Sequence, residues 1–128
     1  PPRLLARFTL IDYDREMALV AVRRDPVTGP AGTAVERERV IGVARYVTQL
    51  DPGSGEFSLV VADDHAGMGI GRRLMQNLHD IARSRGLTQL VGLVLTNNAA
   101  MLRLMRALGY SVGTFTEDPD FRLVTRTL

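Results

Sequence analysis

The residues best spaced for chemistry form one run, Asp63-Asp64-His65-Ala66-Gly67-Met68-Gly69-Ile70-Gly71-Arg72-Arg73, between an apolar stretch and a helical pattern. Glycines reach positive φ and let backbone approach a ligand closely, so successive N–H groups of such a loop can converge on a phosphate. The positive end of the following helix adds a favourable field. A tight strand-to-helix turn would use the same glycines, and spacing alone leaves both readings open. Two common nucleotide motifs are excluded. No Gly-Lys-Ser/Thr follows, and a Gly-x-Gly-x-x-Gly frame begun at Gly67 or Gly69 meets Arg72 or Leu74 where its third glycine belongs. Arg72 and Arg73 fall in the first helical turn, where they can pair with phosphates or stand solvated. His65 and His79 have no metal-ligand spacing and read as a loop residue and a helix-flank residue.

That loop needs a strand to deliver it and a helix to receive it. Glu56 to Ala62 (EFSLVVA) supplies the strand, with Glu56, Ser58, Val60 and Ala62 on one face and Phe57, Leu59 and Val61 on the other. Ile70, Leu74, Leu78 and Ile81 share a helical face, and Gly86 ends that helix. Gln89 to Leu95 is a near-continuous apolar run, as expected of a strand buried on both faces and parallel to the one before the loop. Asn97 or Asn98 caps a second helix with the stripe Met101, Leu104, Met105 and Leu108, closed by Gly109. Upstream, Leu4 to Phe8 reads as a short helix, Met17 to Arg23 as a buried strand, Asp25 to Gly32 as a loop or long hairpin connection, and Val40 to Leu50 as a strand antiparallel to the third. Tyr110 to Thr116 and Phe121 to Thr127 add two strands. The fold class is α/β: a mixed sheet with an antiparallel meander, a central parallel strand pair and flanking helices.

Composition narrows the chemistry further. The 128 residues contain no cysteine, and all 16 basic residues are arginine. A Cys nucleophile, a thiol redox couple, thiolate zinc, Schiff-base chemistry and a phosphate-loop lysine are all excluded for this chain. The net charge of +2, with arginines dispersed and not interleaved with aromatics, argues against nucleic acid as a partner. Nothing resembles a signal peptide or a transmembrane run, so the expectation is a cytoplasmic protein with no membrane partner.

Ala66-Gly67-Met68-Gly69-Ile70-Gly71 resembles motif A of the GNAT superfamily of N-acetyltransferases. Asn98 followed twelve residues later by the aromatic of Gly109-Tyr110 resembles its motif B. The two motifs stand in the correct order with a strand between them, and the resemblance runs from Met17 to the C-terminus. Asp12-Tyr13-Asp14-Arg15-Glu16-Met17-Ala18-Leu19-Val20 and Glu56-Phe57-Ser58-Leu59-Val60-Val61 are similar to bacterial protein lysine acetyltransferases that modify acyl-CoA synthetases, which are often the C-terminal domain of a fused chain.

The resemblance implies a single domain over 1–128, part of a longer chain, with the family's N-terminal strand and helix missing. It implies acetyl-CoA as cosubstrate and no metal. Its pyrophosphate would rest on Gly67, Met68, Gly69, Ile70 and Gly71, with Arg72 beside it and Asn98 near the pantetheine. A backbone N–H at Val60 or Val61 would meet the oxyanion, and Glu56 would act as general base. The implied reaction is acetyl transfer to a protein lysine, an acyl-CoA synthetase being the expected partner. Transfer to a small amine and a non-catalytic acyl-CoA-binding role are the alternatives. Ala66 stands where the family carries Gln or Arg, and Met105 where many members carry a Tyr proposed as general acid. A missing first strand would leave Met17 to Arg23 as an open edge, through which a homodimer is expected.

Overall fold

The computed structural model describes residues 6–12, 15–65 and 67–128. Among the described residues, seven strands form one sheet in the order β1-β2-β3-β4-β5-β7-β6, and two α-helices cross it. The strands are β1 (Ala6–Asp12), β2 (Glu16–Thr28), β3 (Ala34–Thr48), β4 (Ser54–Val61), β5 (Gln89–Leu95), β6 (Ser111–Thr114) and β7 (Phe121–Thr127). Helix α1 spans Ile70–Ser84 and α2 spans Ala99–Ala107.

The expected meander and central parallel pair are present: β2, β3 and β4 run antiparallel in sequence, and β5 lies parallel to β4. That parallel ladder covers only Ser54↔Gln89, Gly55↔Leu90 and Glu56↔Val91, after which the two strands part. The core lies between the sheet and α1, whose Ile70, Leu74, Met75 and Leu78 are all but fully buried. Each such side chain contributes roughly 1.5–3 kcal/mol of apolar transfer. Gly42 makes the close approach possible, since a Cβ there would come within 2.8 Å of Leu74 Cδ1.

Three expectations need correction. From Ala6 onward the Leu4–Phe8 segment is strand, not helix; Leu4 and Leu5 lie outside the described residues. The reason is pairing: β1 runs antiparallel along β2 from Ala6↔Arg23 to Asp12↔Met17. The first strand is therefore present, and Met17–Arg23 is not an open edge, which removes the route to a homodimer that rested on it. Residues 13–15 separate β1 from β2. Finally, the Asp25–Gly32 stretch is mostly strand. β2 and β3 extend past the sheet as a two-stranded arm, closed by a short turn at Pro30–Gly32, and its Glu/Arg alternation stays exposed on β3.

Candidate active site

The loop after β4 begins with a single 3-10 turn, Asp63–His65, and Gly69 then takes φ +76° as the residue before α1. Gly67 is also left-handed, at φ +80°, and nothing stands within 4 Å of where a Cβ would sit on either glycine. Conformation, not crowding, demands glycine there, and the space above the loop is open to a ligand. The first helical bond is Arg73 N–H to Gly69 C=O, and no side chain caps the helix. The N–H groups of Ile70, Gly71 and Arg72 therefore point out of the helix start without an intrahelical partner, backed by the helix dipole. Met68 turns its own N–H back to His65 C=O at 3.4 Å.

These donors open into a cavity of about 550 Å³ whose lining includes Val61, His65, Gly67, Gly69, Gly71, Arg72, Asn98 and Met101. Leu59, Asn98 and Met101 are shared with a second cavity of about 200 Å³, in the gap where β4 and β5 part. Phe57 and Ser58 are shared in turn with a third, of about 260 Å³, that also holds Arg45, Val47 and Glu56. The three cavities adjoin through these shared residues and mark out a path from the helix start, past the gap, to the Glu56 carboxylate.

Strand register decides which backbone groups line that path. Ala62 N–H donates to Ile41 C=O and Gln49 N–H to Ser54 C=O, in a β3–β4 register without irregularity. Even-numbered residues of β4 thus spend their backbone groups on β3, while Phe57, Leu59 and Val61 turn theirs toward the gap. Of the two residues expected at the oxyanion, Val61 faces the gap; Val60 does not, and its side chain is 67% exposed on the opposite face. Glu56 stands on that opposite face with Ser58 and Arg45, and no described side chain hydrogen-bonds or ion-pairs with it. Arg45 is held beside it by Glu16 at 2.7 Å.

The remaining expected residues divide clearly. Gly67, Gly69, Ile70, Gly71, Arg72 and Asn98 come together at the first cavity; Met68 lies outside it. Arg73 turns away and lays its guanidinium 4.7 Å from the Phe8 ring centroid. Asn98, not Asn97, caps α2, its Oδ1 accepting from Met101 N–H at 3.1 Å. Met105 is fully buried core rather than a group facing the path. Ala66, Asp14 and the side chain of Asp12 lie outside the described residues.

The two histidines, read from sequence as a loop residue and a helix-flank residue, are both buried. His79 is buried under α1, sharing a 2.7 Å hydrogen bond with Tyr110 OH. Burial, with Arg126 adding to it, pushes its pKa down to about 4, and burial raises that of the Tyr110 hydroxyl. His65 is 1% exposed and lines the first cavity. Its Nε2 lies 3.0 Å from Arg23 Nη1 and its Nδ1 lies 2.9 Å from Asp64 Oδ1, while Arg39 Nη2 donates to Asp64 Oδ2 at 2.7 Å. The hydrogen bonds from Arg39 and His65 hold the Asp64 carboxyl at about 2. Sequence gave no signal for these contacts, because the arginines lie 42 and 26 residues away on the arm. Phe57, Leu59, Met101 and Leu104 also line the path, and only the strand and helix periodicities hint at them.

A family described as acetyltransferase (GNAT) matches residues 4–110. The chain is similar to acetyltransferase PA5475 of Pseudomonas aeruginosa, 34% identical over 93% of this chain and 58% of that one. It thus spans under two thirds of that relative's length. Over 47% of its length it is 40% identical to 35% of an L-methionine sulfoximine/L-methionine sulfone acetyltransferase from Pseudomonas paraeruginosa. Among solved structures, the GNAT domain of S. lividans PAT shares the fold, with a TM-score of 0.70 and 20% identity over 91% of this chain and 64% of that one.

Proposed function

We infer that this chain, which belongs to the acetyltransferase (GNAT) family, moves an acetyl group from acetyl-CoA to a primary amine by direct attack in a ternary complex. The observation that carries the reading is the run of adjoining cavities, sharing lining residues, from the helix start to Glu56. The pyrophosphate meets the N–H groups of Ile70, Gly71 and Arg72 and the Arg72 guanidinium. The pantetheine arm follows the β4–β5 gap past Asn98, bringing the thioester toward Glu56.

An alkyl ammonium of pKa about 10.4 is almost wholly protonated at neutral pH, so a base must free the attacking nitrogen. Glu56 takes that proton, directly or through one water. The nitrogen lone pair forms the new C–N bond, and the carbonyl electrons go to oxygen, where the gap-facing N–H groups of Leu59 and Val61 stabilise the negative charge. Collapse restores the carbonyl and breaks the C–S bond, and the positively charged nitrogen gives up its surplus proton to water or to the departing thiolate as the neutral amide forms. The thiolate of a thiol of pKa about 8.5 leaves without strong acid assistance, so buried Met105 is compatible with turnover.

The acceptor we propose is the ε-amine of a protein lysine, with an acyl-CoA synthetase as target. Its support is the likeness of the Asp12–Val20 and Glu56–Val61 segments to lysine acetyltransferases, together with the openness of the Glu56 face. Both helices lie on the other face, and Val47 and Val60 stay exposed beside Glu56. A small amino acid is the second reading, favoured by the name of the methionine sulfoximine relative. The deciding experiment incubates the chain and acetyl-CoA with an acyl-CoA synthetase or with L-methionine, following CoA thiol release and product mass. Acetyl-lysine on the synthetase supports the first reading, N-acetylmethionine alone supports the second, and CoA binding without release with either leaves a regulatory role.

A further inference from the structure

The geometry points to His65 as a positioning residue for acetyl-CoA binding, one that locks the anion-binding loop to the β2–β3 arm. The inference rests on the loop as the seat of acetyl-CoA. A guanidinium can only donate, so Nε2 accepts from Arg23. Arg39 Nη2 also lies 3.1 Å from Nδ1 but donates to Asp64 Oδ2 at the shorter 2.7 Å, and the ring proton on Nδ1 goes to Asp64 Oδ1 at 2.9 Å. Asp64 takes its second bond from Arg39, and Arg23 also grips Asp25 at 2.7 Å. Both ring nitrogens are thus engaged, and both strands of the arm, β2 through Arg23 and β3 through Arg39, are tied to the His65–Asp64 pair. The peptide itself is pinned as well, His65 N–H donating to Ala62 C=O at 2.9 Å and its C=O accepting from Met68.

The arginine and aspartate charges in this cluster pair off around the ring, Arg39 with Asp64 and Arg23 with Asp25. The cluster therefore supplies alignment and little net field. Helix α1 does not depend on it, because Ile70, Leu74 and Leu78 anchor that helix in the core. What His65 holds is the loop wall of the cavity, Asp63, Gly67 and Gly69, which faces the anion beside the helix-start N–H groups. Left-handed glycines make that stretch soft, so an external clamp has something to restrain.

The test uses His65→Phe, His65→Gln, Arg23→Met and the double variant His65→Phe/Arg23→Met. Acetyl-CoA affinity is read by calorimetry and unliganded stability by thermal melting. With a hydrogen bond to a charged group lost, His65→Phe should weaken acetyl-CoA about tenfold while the melting temperature stays within a few degrees. His65→Gln, whose Oε1 can still accept from Arg23, should recover most of that loss. Arg23→Met touches no part of the cavity, yet should weaken binding in the same direction, and the double variant should be no worse than His65→Phe alone. Unchanged affinity in His65→Phe and Arg23→Met, or fully additive losses, would overturn the clamp. Should His65→Phe not fold, Arg23→Met on the half-buried arm still decides. Wild-type protein that fails to bind acetyl-CoA would overturn the seat and the clamp together, whereas binding that is lost in Gly69→Glu but kept in the His65 and Arg23 variants would overturn the clamp alone.

Discussion

The two ends of the path are built on different principles. At the proposed donor end, helix-start N–H groups and left-handed glycines face a cavity walled by α1, α2 and the buried His65 cluster. At the acceptor end a single carboxylate, Glu56, stands beside an Arg45–Glu16 ion pair on a sheet face that no helix covers among the described residues. On the proposed reading, donor recognition is therefore tied to the fold itself. Acceptor recognition rests on few side chains and on whatever surface the acceptor brings.

Breaking the acceptor end should have the largest effect. Glu56→Gln preserves shape and hydrogen bonding but cannot take a proton, so turnover should fall on the order of 100- to 10,000-fold at neutral pH, with acetyl-CoA affinity nearly intact. Activity should partly return at higher pH as free amine becomes abundant. A rate equal to wild type at neutral pH, or a loss that is the same at every pH, would remove Glu56 from the role of base. At the donor end, Gly69→Glu adds a strained backbone and a like charge against the pyrophosphate, and calorimetry should show affinity falling at least about tenfold. Unchanged affinity would sink the loop as the seat.

The third prediction concerns the support beneath the donor end. His79 has a pKa near 4 in the folded chain, against the usual 6.5. Its contribution is complete above pH 6.5 and is lost as pH falls toward 4, because the unfolded chain takes up a proton that the folded chain resists. Denaturant unfolding should lose about 2–3 kcal/mol across that window, and His79→Gln should flatten it. Asp64 acts in a separate and lower window, its stabilising effect present above 3.8 and lost toward 2. A stability profile that is level between pH 6.5 and 4.5 would contradict the burial of a neutral His79. Smallest is Asn98→Ala, which removes the α2 cap and should cost about 1 kcal/mol of stability, measurable as a lowered unfolding midpoint.

Much of this architecture was legible from local pattern. The apolar run Gln89–Leu95 is a strand with the expected ends, and the period of Ile70, Leu74 and Leu78 marks the buried face of α1. Phe8 and its neighbours misled because a short apolar segment suits helix or strand equally, and only the partner β2 settles it. The arm was half hidden for the same reason: Pro26 and Gly29 signal a loop, yet cross-strand pairing carries β2 to Thr28. In the site, the glycine loop and Glu56 stood out by type and by resemblance, whereas His65 looked like any loop residue.

Sequence by itself determined the chemistry this protein can offer: no thiol, no lysine of its own, a glycine-bearing helix start and a carboxylate at the head of the preceding strand. Residue type and short-range period carry that information, since left-handed turns and helical stripes are set within a few neighbours. Tertiary structure alone decided that β1 closes the edge beside β2, that Val61 rather than Val60 faces the gap, and that His65 and His79 are buried with partners. Those outcomes depend on strand register and on contacts across 26 to 42 residues, where free energy comes from pairing distant groups rather than from any local preference.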